Sequence, residues 1–288
     1  MTPTKSHQPN PPHVVFIGGG NMTRAIVSGL TAHAAPAGVL PPPVEISIVQ
    51  PSNPKRDQLR ADFGEAGVRV VEDTSALHRA ATVVVWAVKP QVLKAVVEAN
   101  RGYFGPDALH VSIAAGVGTA ALMAWTGNAR VVRTMPNTPA TVGKGATGLF
   151  ATPAVSDGDR AQVQALFQPT GLCLWVDSED LLDAVTAVSG SGPAYVFYML
   201  SAMTQGGVSL GLPETTAKAL AIATFAGAAE LARLSPETPA TLQKNVTSKG
   251  GATAEAIAVF ERATLAETVQ AGMRACANRA IEMGQQFK

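Results

Sequence analysis

Cysteine is scarce in this sequence: Cys173 and Cys276 are the only two in 288 residues, they lie far apart, and neither stands in a redox or metal-ligand spacing. That excludes a disulfide framework and a cysteine-rich zinc module, and five scattered histidines add no ligand cluster, so no metal is expected. An excess of one charge is also lacking. The 22 Lys and Arg balance 21 Asp and Glu, and no Lys/Arg run forms a stripe able to neutralise a phosphate backbone. Nucleic acid and membrane surfaces are excluded as partners on that ground. Charge-free hydrophobic runs are missing too: Leu181 to Met203 holds Asp183 and Gly190-Ser191-Gly192-Pro193, and Ala217 to Leu234 holds Lys218 and Glu230. Both stretches read as buried helices of a soluble protein. Met1 to Pro12 is polar and proline-rich without an apolar core, so the expectation is a flexible tail, not a signal peptide, on a reduced cytoplasmic chain.

What is present is alternation. Short β-branched runs at Val14–Ile17, Glu45–Val49, Val68–Val71, Thr82–Trp86, Leu109–Ile113 and Arg130–Arg133 are separated by helical segments, the pattern of a parallel sheet covered on both faces. Leu172–Val176 adds an edge strand. Beyond Asp177 the strand signal stops, and Leu181–Phe197, Ala217–Leu234 and Leu265–Gln285 read as helices. The expected organisation is therefore a tail over 1–12, a Rossmann-type doubly wound α/β domain over 13–177, and an all-helical domain over 178–288. A Pro/Ala insertion, Ala34 to Pro43, lengthens the loop before the second strand.

The first strand runs directly into Ile17-Gly18-Gly19-Gly20-Asn21-Met22 and then a helix. Gly18 permits the tight turn, and Gly20 lets backbone amides and the positive helix end approach a dinucleotide pyrophosphate. Thr23 stands where a third small residue is usual, so the fingerprint is imperfect. At the end of the second strand, Gln50-Pro51-Ser52-Asn53-Pro54-Lys55-Arg56 offers no carboxylate to repel a 2′-phosphate. Ser52 and Asn53 can hydrogen-bond such a group and Arg56 can pair with it, which favours NADPH, with NADH possible but less preferred. The alternative is that Lys55 and Arg56 are simply the solvated first turn of a helix.

Further along stand Trp86-Ala87-Val88-Lys89-Pro90, Ile113-Ala114-Ala115-Gly116, Met135-Pro136-Asn137-Thr138-Pro139, Asp183 through Ser189-Gly190-Ser191-Gly192-Pro193, and Val246-Thr247-Ser248-Lys249-Gly250-Gly251-Ala252-Thr253. In this order, from Val14 onward, the chain resembles the pyrroline-5-carboxylate reductase family. The resemblance implies that Ile17 to Met22 bind the pyrophosphate, and that Ala87, Val88, Lys89 and Pro90 with Ile113, Ala114 and Ala115 line the nicotinamide side. It implies that Asn245 reaches the cofactor, that Ser248, Gly250 and Gly251 shape the substrate loop, and that Ala252 and Thr253 hold the substrate's carboxylate and ring nitrogen. Glu179 lies near the ligand on the same basis, and Thr253 and Lys89 are the candidates for catalytic contact. Asn137, between two prolines, suits the cofactor's ribose or carboxamide, or serves only as a turn former. Lys89 alone would be a surface lysine, and Thr253 alone a helix cap.

The implied reaction is NADPH-dependent reduction of the cyclic imine 1-pyrroline-5-carboxylate to L-proline, and the implied assembly a homodimer interlocked through the helical domain, extending to a higher oligomer such as a decamer. The chain departs from the family pattern at Lys249, where Pro is usual, and at Thr264-Leu265-Ala266, where Gly-Phe-Arg is usual. Ser189 to Pro193 suggests a serine nucleophile only superficially; without a His or acidic partner in pattern it reads as a kinked, close-packed helix. Two rival readings remain: a β-hydroxyacid dehydrogenase using Lys218 or Lys244, and a protein that senses NADP without turnover.

Overall fold

The structure is a computed structural model and describes residues 12–32, 44–77 and 81–287. The insertion Ala34 to Pro43, and the tail apart from Pro12, lie outside the described residues. Eight strands form one sheet in the order β3-β2-β1-β4-β5-β6-β7-β8: β1 His13–Ile17, β2 Glu45–Val49, β3 Arg69–Val71, β4 Val83–Trp86, β5 Leu109–Ser112, β6 Val131–Met135, β7 Gly145–Ala151 and β8 Gly171–Trp175. The first six run parallel. Successive side chains of a strand face opposite sides, and here both sides are dry. Val14 and Phe16 pack with Ile26, Leu59, Phe63 and Phe167 on one face, while Val15 and Ile17 pack with Leu93, Val97, Leu122 and Trp125 on the other. Those partners come from helices α1 Asn21–Ala32, α2 Asn53–Phe63, α3 Pro90–Asn100, α4 Thr119–Thr126 and α5 Asp157–Phe167. The expected doubly wound α/β sheet followed by a helical region is what is observed.

β7 carries no clear sequence signal because Gly145 and Gly148 occupy it, and glycine reads against a strand. Packing explains both residues. A Cβ at Gly148 would lie 2.7 Å from Val185 Cγ1, and one at Gly145 would lie 2.9 Å from the Ala140 backbone. β7 returns antiparallel to β6, and β8 joins it in parallel as the expected edge strand.

The single helix expected over Leu181–Phe197 is three pieces: α6 Leu181–Val185, a π turn Thr186–Gly190, and α7 Gly192–Ser209. Pro193 has no N–H to give and is tolerated only in the first turn, so a new helix must start there. Gly190 admits the Met135 side chain, whose Cε would meet a Cβ at 2.6 Å. The remaining helices are α8 Glu214–Leu234, α9 Pro239–Asn245, α10 Ala252–Arg262 and α11 Leu265–Gln285.

Contacts divide the chain into two compact units. The first extends past Asp177 to Gly190 and regains the chain from Ala277 onward; the second is Ser191–Cys276. The boundary falls later than the last strand because Leu182 of α6 is fully buried beneath the sheet's second half. Among the described residues, no helix is long and apolar enough to cross a membrane.

Candidate active site

In the first unit, β1 lies between β2 and β4, where the strand order reverses direction, and a crevice opens beyond the carboxyl ends of such strands. Gly18 turns the chain there with φ +110, its N–H donating to Val49 O at 3.0 Å. A Cβ on Gly18 would lie 2.5 Å from Ala87 O, and one on Gly19 would lie 2.3 Å from Leu59 Cδ1. Gly20 meets nothing within 4 Å, so open space remains above the first turn of α1. The cradle fits a pyrophosphate. Thr23, the departure from the fingerprint, is buried and donates its hydroxyl to Gly18 O at 2.7 Å, closing the turn with a hydrogen bond that sequence reading overlooked.

The β2–α2 loop brings Ser52, Asn53 and Arg56 together. Ser52 is the N-cap of α2 but makes no side-chain cap bond, which leaves its hydroxyl and the first helical N–H groups for a ligand. Arg56 is not a solvated cation: its side chain is 7% exposed, and its Nη1 donates to Gln50 O at 3.0 Å and Pro51 O at 2.8 Å. Its Nη2 donates to Asn53 Oδ1 and lies 3.2 Å from Glu72 Oε2.

On the other flank, Ala87 N donates to Ile17 O at 2.9 Å and Ile113 N to Trp86 O at 3.2 Å, so both segments begin at the same sheet edge. Lys89 is exposed as the N-cap of α3, with Pro90 in the first helical turn. Ala114 is buried; Ile113 and Ala115 are partly so. Asn137 is 9% exposed and uses its amide on the protein: Nδ2 donates to Ser189 O at 2.9 Å, and Oδ1 accepts from Ala146 N at 2.9 Å. One N–H of that amide is left for a ligand.

Glu179 also has structural work. Its Oε1 accepts from Thr119 N at 2.7 Å and its Oε2 from Thr119 Oγ1 at 2.6 Å, a carboxylate on the positive end of α4. Arg133 reaches Glu179 at 3.1 Å and Asp183 at 3.6 Å, a pairing that sequence reasoning missed because it joins β6 to α6. Burial raises the Asp183 pKa, against the pull of Arg133 and with the repulsion of Asp180 and Glu179. These groups line a cavity of about 820 Å³ with Gly116, Gly118, Trp125 and Ile281.

In the second unit, Ser248 to Gly251 form a tight turn: Gly251 N donates to Ser248 O at 3.0 Å, and Gly250 has φ +74. Gly251 is the N-cap of α10 and makes no side-chain cap bond, so Thr253 is not the cap. Ala254 N and Glu255 N turn back to Gly251 O, while the N–H groups of Ala252 and Thr253 precede any acceptor four residues back. Ala252 and Thr253 are exposed. Asn245 closes α9, with Nδ2 donating to Glu237 Oε2 at 2.8 Å. That carboxylate too was unsuspected. Lys218 and Lys244, which a hydroxyacid dehydrogenase would call on, are exposed on α8 and α9.

Residues 179–283 match the family model described as pyrroline-5-carboxylate reductase dimerisation, and residues 13–116 match that described as NADP oxidoreductase, coenzyme F420-dependent. The pyrroline-5-carboxylate reductase of Pseudomonas aeruginosa is 42% identical over 277 residues, covering 96% of this chain and 98% of its own. Among solved structures, a pyrroline-5-carboxylate reductase from Coxiella burnetii superposes with TM-score 0.85 at 38% identity, covering 95% of this chain and 99% of that one. A Plasmodium falciparum pyrroline carboxylate reductase with NADP bound superposes with TM-score 0.78 at 26% identity, covering 96% and 98%.

Proposed function

The chain belongs to the pyrroline-5-carboxylate reductase family, and on that premise we propose how its residues carry the activity. The enzyme uses NADPH to reduce 1-pyrroline-5-carboxylate to L-proline, the closing step of proline biosynthesis. When bound, NADPH supplies a hydride to the imine carbon. The protein's task is to hold, orient and exclude water, because a protonated imine is already electrophilic.

In this proposal Gly18, Gly19 and Gly20 with Asn21 and Met22 carry the pyrophosphate on the first turn of α1. The adenosine phosphate lies at Ser52 and Asn53 over the start of α2. Ala87 to Pro90 and Ile113 to Ala115 flank the nicotinamide, Lys89 contributing from the N-cap of α3. Asn137 and Glu179 act mainly as braces, the first fixing Ser189 and Ala146, the second fixing the head of α4. Ser248, Gly250 and Gly251 shape the substrate turn, and the Ala252 and Thr253 amides receive the carboxylate. The Thr253 hydroxyl accepts the hydrogen bond of the protonated ring nitrogen, orienting the imine carbon. Asn245, held by Glu237, completes that end.

The observation that supports this reading best is the uncapped first turn of α10: two amide donors and an exposed hydroxyl within two adjacent residues suit a small amino-acid-like ring. The chain self-associates through its dimerisation domain. A homodimer, with a decamer as the further step, and a cytoplasmic location fit the composition and the bacterial relatives. The test is NADPH oxidation by the purified protein with the cyclic imine, beside NADP reduction with 3-hydroxyacids. Proline formation supports the assignment; turnover of hydroxyacids alone, or cofactor binding with no turnover, overturns it.

A further inference from the structure

NADPH and NADH differ by one phosphate on the adenine ribose, so preference between them is set where that group lies, beyond β2. The β2–α2 loop contributes no carboxylate. One arrives from the neighbouring strand: Glu72 directly follows β3, whose Val71 O accepts from Gln50 N at 2.9 Å. Its Oε2 lies 3.2 Å from Arg56 Nη2, and Glu72 is 65% exposed while Arg56 is 7% exposed. The guanidinium sits inside the loop, bonded to Gln50 O, Pro51 O and Asn53 Oδ1, and its Nε–H is buried without a partner. Arg56 is thus a positioning residue that braces the loop from within. Its charge is opposed by a carboxylate that itself stands in solvent.

The geometry points to Glu72 as a specificity-determining residue. By pairing with Arg56 it weakens the positive field that a 2′-phosphate meets at Ser52 and the first turn of α2, and so narrows the preference for NADPH over NADH. This rests on the reading of that loop as the 2′-phosphate site. A carboxylate at the end of β2 would reject the phosphate outright; one reached across a strand and neutralised by arginine only tempers it.

Dissociation constants of the full-length protein for NADPH, NADH and 2′,5′-ADP, measured by calorimetry, decide the matter. Glu72→Gln is expected to tighten NADPH and 2′,5′-ADP about three- to fivefold, the scale of an exposed ion pair, and to leave NADH unchanged. The KM for NADPH falls in step while kcat holds, and Glu72→Asp keeps the wild-type ratio. An unchanged NADPH-to-NADH ratio in Glu72→Gln overturns the inference, as does an equal shift of both cofactors with a lowered melting temperature, which marks a purely structural role. If the wild type fails to bind 2′,5′-ADP, the loop is not the phosphate site, and that underlying reading fails separately.

Discussion

Thr253 is exposed in the first turn of α10, so removing its hydroxyl costs little packing and, on the proposed reading of the site, deletes one ligand contact. Thr253→Ala is expected to lower kcat/KM for the imine by roughly one to two orders of magnitude, the scale of a lost orienting or proton-relay contact. Its melting temperature should stay at the wild-type value, and Thr253→Ser should restore most of the rate. Unaltered kinetics would remove Thr253 from the mechanism. His110 illustrates the opposite case, a titratable group of stability alone. Its Nδ1 accepts from Trp86 Nε1 at 3.2 Å, and the ring stacks on Trp86 with centroids 5.9 Å apart. Burial, with a smaller push from Arg130, lowers its pKa from 6.5 to about 4. The unfolded chain therefore takes up this proton near 6.5 and the folded chain only near 4, so stability falls as pH drops through that window. The full effect is about 3 kcal/mol, since each tenfold loss of proton affinity on folding corresponds to about 1.4 kcal/mol. Denaturant titrations of wild type and His110→Gln across that range should show the wild type losing stability faster; parallel curves would refute it.

Among the elements, the break between α10 and α11 is where this chain's departure from its family acquires a physical meaning. Thr264, at the position where the family pattern has Gly, has φ 51 and is the only non-glycine residue with positive φ among those described. A β-branched residue in the left-handed region is strained, by about 1–3 kcal/mol. Thr264 N still donates to Glu261 O at 3.0 Å, and Thr268 N returns to Thr264 O, so the turn itself is fully formed. Thr264→Gly should stabilise the protein by about 1 kcal/mol, read as a higher denaturant midpoint, the relief of strain being partly offset by glycine's greater freedom when unfolded. A lower midpoint would mean the turn is relaxed. Elements with their own local signature, such as the parallel strands and the glycine turn after β1, were legible in the sequence. β7 was not, because Gly148 answers to Val185, a residue that only folding brings near. The helix expected over Leu181–Phe197 was legible as a kink at Pro193 but not as a π turn, which Met135 shapes by filling the space at Gly190. The site divides in the same way. Gly18 to Gly20 announce themselves by local chemistry and Ser248 to Thr253 by resemblance, whereas the work of Arg56, Asn137 and Glu179 depends on partners from other strands and helices.

At the scale of the molecule, the two units differ in how they exclude water. The first has two dry layers, one on each face of the sheet. In the second, Ser191–Cys276, only Ala217 and Ala221 are buried, while Phe197 is 64%, Tyr198 77%, Leu220 55% and Leu231 57% exposed. Helices that bury two alanines between them gain too little apolar contact to offset the cost of ordering the chain. Apolar side chains of this size, left in water along α7 and α8, need a covering surface, and a dimerisation domain supplies one from a second copy. Stability and assembly are then one equilibrium, so the melting temperature should rise with protein concentration. Charged substitutions on the two helices, Phe197→Glu with Leu231→Glu, should shift the mass in sedimentation velocity toward the monomer and lower the melting temperature. They should also abolish imine reduction, while leaving 2′,5′-ADP binding by the first unit measurable because its core is self-contained. A variant that keeps the wild-type mass, melting temperature and rate would show that these faces are not the ones joined in the assembly.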